Sequence, residues 1–118
     1  MKLELKENMY YRTYSGSINK ITSIKDYNER EYLLNGFYIN KDTIKKVSYN
    51  IIDILEVGDY VNGYKVSAIY NPNGDEIVNI TLIMEYGYET INTYIDDYSI
   101  NSIVTKEQFE QMAYKVGE

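Results

Sequence analysis

Cysteine and histidine are absent from the 118 residues, proline occurs once, and arginine only twice, at Arg12 and Arg30. Without cysteine there is no disulfide framework, no thiol nucleophile and no Cys-based zinc or iron–sulfur site. Without histidine the commonest general base and metal ligand is missing, and the seven serines have no imidazole to activate them. Neither a Gly-x-Gly-x-x-Gly nor a phosphate-binding P-loop occurs. These gaps argue against an enzyme and against a metal or organic cofactor. No apolar run approaches the roughly 18 residues needed to cross a bilayer. The opening MKLELKENMYY lacks a long apolar core of the signal-peptide kind. The expectation is a soluble, cytoplasmic protein.

Ile (16), Tyr (15), Asn (12) and Lys (10) together make 53 of the residues, a bias of A/T-rich coding. Alanine is limited to Ala68 and Ala113. Scarce helix formers and plentiful β-branched and aromatic residues point to sheet. At this length one domain over 1–118 is expected, with residues 1–9 as a loose arm or an edge strand.

The charge is uneven. Residues 1–59 hold nine basic and nine acidic side chains and are neutral, whereas residues 60–118 hold three basic and nine acidic and sum to −6. An acidic half argues against direct nucleic-acid binding, which needs clustered cations. It suits a basic partner, or serves solubility alone.

Hydrophobic patterning predicts many short strands. Tyr10–Tyr14 reads as a strand with Ser15-Gly16-Ser17 as its turn. Residues 18–26 read as the returning strand, although Ile18, Ile21 and Ile24 at intervals of three also fit a bulge or a helical turn. Asn35-Gly36 between Tyr32–Leu34 and Phe37–Ile39 predicts a tight hairpin, because both turn positions need positive φ. Residues 42–47 extend as a further strand. Asn50 and Asp53 suit the start of one helical turn whose isoleucines must pack on a sheet. Residues 56–61 read as a strand, Asn62-Gly63 as a second hairpin turn, and 64–70 as its partner. Residues 76–85 form the clearest strand, with Val78, Ile80, Leu82 and Met84 on one face. Tyr86-Gly87 turns the chain into a strand over 90–96, and 98–104 reads as one more. Thr105 and Gln108 form a capping box for a helix of about 106–112, with Phe109, Met112 and Ala113 on one face. The fold class is mainly β with one short C-terminal helix, as a small SH3-like barrel or a half-open antiparallel sheet.

The candidate metal ligands are weak. Asp96-Asp97 on a strand point to opposite faces. Asp53, Glu56 and Asp59 outrun the helical turn that would align them. The loop Asn71-Pro72-Asn73-Gly74-Asp75 puts its glycine two places too early for a calcium loop and lacks the distal glutamate. It reads as a hairpin turn. The tyrosines carry more weight, because Tyr gives large contact area at low entropic cost. Tyr86, Tyr88, Tyr94 and Tyr98 alternate with Glu85, Glu89, Asp96 and Asp97, and these eight residues are the expected partner-binding set.

The segment NIIDILEVGDYVNGYKV (residues 50–66) and the ending IVTKEQFE with YKVGE (residues 103–110 and 114–118) resemble small proteins encoded by phages and prophages of clostridia and related low-GC bacteria. Residues 11–25 resemble them more loosely. The group brings no activity of its own. The resemblance implies a mobile-element origin, a β-barrel-like fold and a place among inhibitors of host defence. The Val-Gly-Asp-Tyr-Val run is also similar to strand entry in SH3-like barrels. The expectation is a non-enzymatic phage-derived binding protein. It would occlude a basic nucleic-acid-binding surface of a host defence factor, for example a CRISPR effector. One alternative is a sponge for a nucleotide defence signal, using Arg12, Lys20 and Arg30 for the phosphates. Another is a structural or accessory phage module.

Overall fold

The computed structural model describes residues 4–70, 79–84, 87–92 and 100–112. The chain falls into two compact units, Met1–Ile54 and Leu55–Glu118. Three antiparallel sheets and one short helix make up the described residues. None of the sheets closes on itself, so the half-open architecture holds and the barrel does not.

The first unit contains two three-stranded sheets. One has β1 (Tyr10–Thr13) between β2 (Ile18–Lys20) and β6 (Ile44–Ser48), and the other has β4 (Glu31–Leu34) between β3 (Ile24–Asp26) and β5 (Phe37–Asn40). Both sheets feed one core of Tyr11, Ile21, Tyr32, Leu34 and Ile44. The isoleucine interval of three marks a change of sheet, not a bulge or a helical turn. β2 pairs with β1 and β3 pairs with β4, and the fully buried Ile21 sits at the crossing. The single returning strand over 18–26 is therefore two short strands. Leu5 and Met9 pack against the same core, and the N–H of Asn8 donates to Ile21 C=O. Residues 41–43 form a 3-10 turn before β6, capped by the side chain of Asn40. A second 3-10 turn, Ile51–Ile54, buries Ile52 and Ile54 and packs against β1 and β6. The Arg12 guanidinium reaches it, donating to Ile54 C=O at 3.1 Å.

The second unit is one five-stranded sheet in the order β10-β9-β8-β7-β11. Its strands are β7 (Tyr60–Val61), β8 (Tyr64–Tyr70), β9 (Asn79–Met84), β10 (Gly87–Asn92) and β11 (Ile103–Val104), followed by α1 (Lys106–Met112). Val61, Val66, Ile80 and Leu82 are buried.

Only two residues of the predicted strand 56–61 are strand. Asp59 explains the difference. Its N–H donates to Glu56 C=O, and Gly58 at φ 98° closes the turn. The Asp59 carboxylate accepts from the Glu56 N–H at 2.7 Å and from the Lys106 N–H at 2.9 Å. Lys106 opens α1, so this buried carboxylate satisfies a helix N–H that has no partner within the helix. The Lys106 ammonium returns to Glu56 at 2.8 Å. The capping box forms as expected. Thr105 N–H donates to Gln108 Oε1 at 3.1 Å, and Gln108 N–H to Thr105 Oγ1 at 3.2 Å.

Both Asn-Gly turns form, with φ of 52° and 84° at Asn35-Gly36 and 53° and 86° at Asn62-Gly63. Each asparagine also ties its hairpin to the strand alongside. Asn35 N–H donates to Ser23 C=O while its Oδ1 accepts from the N–H groups of Thr22 and Ser23. Asn62 N–H donates to Ser102 C=O while its Oδ1 accepts from the N–H groups of Asn101 and Ser102. The strands so tied, β3 and β11, each begin with an isoleucine directly after that serine, as Ser23-Ile24 and Ser102-Ile103. One precedes its hairpin in the chain and the other follows it, so the two units share a local device and not a repeat of sequence order.

Candidate binding surface

Of the eight residues expected to bind a partner, Tyr88 and Glu89 are described. Glu85, Tyr86, Tyr94, Asp96, Asp97 and Tyr98 lie outside the described residues. β10 pairs antiparallel with β9, matching Tyr88 to Ile83 and Glu89 to Leu82. Leu82 is buried and Ile83 is 43 % exposed, so alternation sends Tyr88 and Glu89 to opposite faces. These two side chains do not share one aromatic and acidic surface.

The face that carries Tyr88 has its own character. Lys65, Ile83 and Tyr88 are in register across β8, β9 and β10, and Ala68, Thr81 and Thr90 form the next row. A bulge between Val66 and Ala68 restores the alternation of β8, with Ser67 Oγ donating to Thr81 C=O at 3.2 Å. Tyr88 is 74 % exposed and Tyr70, at the far end of β8, 63 %. Among the described residues this face holds one charged side chain, Lys65, and no carboxylate. Ile83 was legible as an outward apolar residue, because the alternation that buries Ile80 and Leu82 must turn it out.

The acidic residues near the start of the second unit are inside it. Asp59 is fully buried and Glu56 nearly so. Asp53, in the first unit, accepts from the Ser48 hydroxyl at 2.6 Å. No group of three or more acidic side chains that could hold a metal ion occurs among the described residues. The loop 71–75 lies outside them. No helix among them is long and apolar enough to cross a membrane.

In the first unit the exposed aromatics are Tyr14, Tyr27, Phe37, Tyr38 and Tyr49. Tyr27 and Tyr38 meet edge to face at 4.8 Å, and the neighbouring Tyr27 phenol pushes the Tyr38 phenol up from its ordinary value. Three ammonium groups lie over rings, Lys20 over Tyr10, Lys41 over Tyr32 and Lys45 over Tyr14. Of the cations that would hold nucleotide phosphates, Arg12 is fully buried and directed at a backbone carbonyl. A phosphate contact would need it exposed, and nothing in the sequence around Arg12 marks a buried acceptor 42 residues away. α1 contributes no buried residue. Phe109 stacks on Tyr60 at 4.6 Å and remains 47 % exposed, and Met112 is 69 % exposed.

No protein-family model, curated protein or solved structure matches this chain.

Proposed function

We propose that this chain is a non-enzymatic binding protein whose acidic second unit docks onto a basic, nucleic-acid-binding surface of a host defence factor and occludes it. One observation carries the reading. The boundary between the compact units falls where the charge changes. Residues 1–54 hold nine basic and seven acidic side chains, net +2, and residues 55–118 hold three basic and eleven acidic, net −8. The segregation is sharper by structural unit than by halves of the sequence. A field of that size steers a basic partner towards one end of the chain. Carboxylates would take the positions of nucleic-acid phosphates, and exposed tyrosines would supply contact area at low entropic cost.

Glu56 and Asp59 are committed to the turn before β7, so the docking charge belongs to the other acidic residues, Glu89 among them. The burial of Arg12 disfavours the nucleotide sponge, which would rely on it for phosphate contact. The resemblance to phage-encoded proteins supports a target in host defence. A CRISPR effector, with its basic guide and target channels, is the first to test.

The test is target-DNA binding by such effectors with and without the chain. Loss of DNA binding that weakens as salt rises supports docking. Undisturbed DNA binding across a panel of effectors, with no basic protein retained by the immobilised chain, removes the reading.

A further inference from the structure

We infer that the outer face of β8, β9 and β10 is the contact surface for a second copy of this chain. An antiparallel sheet that packs one face on a core ordinarily turns polar side chains outward on the other. Here the outward face sets the exposed apolar Ile83 between Lys65 and Tyr88 in one row, with Ala68, Thr81 and Thr90 in the next and Tyr70 opposite Asn79 beyond. Its single charge among the described residues is Lys65, in a unit that holds eleven acidic side chains. Among the described residues of this face a basic partner would meet a cation and no carboxylate. A second copy, repelled elsewhere by like charge, can approach this face.

The register makes the face self-complementary. Two sheets stack about 10 Å apart with strands roughly aligned. A two-fold axis along the strand direction lays β8 of each copy over β10 of the other. Lys65 then lies over the ring of the second copy's Tyr88, and Tyr88 under the second copy's Lys65. Ile83 meets its own mate near the axis, as an isologous contact requires. The first unit already makes three ammonium–tyrosine contacts of this kind. The three strands, paired over roughly six residues each, span about 14 by 20 Å. That is small beside the roughly 800 Å² per partner of a standard interface, so the dimer is reversible and depends on concentration.

Sedimentation velocity on the full chain, from low micromolar to near-millimolar concentration, tests it. The parent should shift from monomer towards dimer. Ile83→Glu places two carboxylates against each other at the axis and should remain monomeric throughout, with the circular dichroism spectrum of the parent. Tyr88→Lys sets lysine against Lys65 of the other copy and should weaken association by about tenfold or more. Adding Lys65→Tyr to Tyr88→Lys exchanges the two roles and should restore the dimer, which decides the matter should Ile83→Glu fail to fold. Glu89→Lys, on the opposite face, should dimerise as the parent does. A parent that stays monomeric at every concentration overturns the inference, as does undiminished association of Tyr88→Lys.

Discussion

Asn35 holds a left-handed backbone and accepts three hydrogen bonds through Oδ1, from Thr22 N–H, Thr22 Oγ1 and Ser23 N–H. Its amide also donates to Lys20 C=O at 2.8 Å. Two substitutions separate these roles. Asn35→Gly keeps the turn conformation and loses the side-chain bonds, so urea titration should show a loss of about 1–3 kcal/mol. Asn35→Ala should lose about 1–2 kcal/mol more, for a β-carbon in the left-handed region. In the second unit Asn62 makes the corresponding turn, and Asp59 is a further side-chain acceptor of backbone N–H groups. Asp59→Ala removes a buried acceptor from two N–H groups and should cost about 2–4 kcal/mol, more than the about 0.5–2 kcal/mol expected for Thr105→Ala. Tyr11 makes part of the stability depend on alkaline pH. Burial raises its phenol above the ordinary value of 10.0, and the hydrogen bond with Asn19 acts in the other direction. The neutral phenol is the form the core accepts, so its contribution is complete below about pH 10 and is lost as pH rises through the raised value. Tyr11→Phe should therefore flatten the fall of stability above pH 10 in denaturant titrations.

The elements that local chemistry alone determines were legible. Asn-Gly needs only its own two φ angles, and Thr105 with Gln108 needs only one helical turn, so both hairpins and α1 appear where the residues place them. Two elements depended on distant partners. The strand over 18–26 divides because Ile21 is drawn into a core built by β1, β4 and β6, which no window of a few residues contains. The strand over 56–61 shortens because Asp59 folds back on Glu56 and accepts from Lys106, 47 residues further on. In the candidate binding surface the sequence starts the strand at 90, whereas β10 begins at Gly87, and it is this earlier start that puts Tyr88 and Glu89 under period-two alternation and on opposite faces. α1 buries no residue among those described, and its caps, the Lys106–Glu56 ion pair and the Tyr60–Phe109 stack hold it to the second unit. Phe109→Ala should lower stability by no more than about 0.5–1.5 kcal/mol. It should speed amide exchange over 106–112 well before the sheet opens.

Across the whole chain the net charge of −6 conceals a contrast of +2 against −8 between the two units. Docking through the acidic unit should fall with ionic strength, because the Debye length shrinks from about 10 Å at 0.1 M to about 3 Å at 1 M. Reversing Glu85, Glu89, Asp96 and Asp97 to Lys should abolish binding with little change in melting temperature. Reversing Glu29 or Glu31 in the first unit should matter much less. Occlusion adds a stricter requirement, that the chain and nucleic acid exclude one another. The direct measurement is a calorimetric titration of the chain into its basic target, alone and saturated with nucleic acid. Occlusion requires that saturation eliminate the binding heat of the chain. Equal affinity for the free and the nucleic-acid-bound target would contradict it.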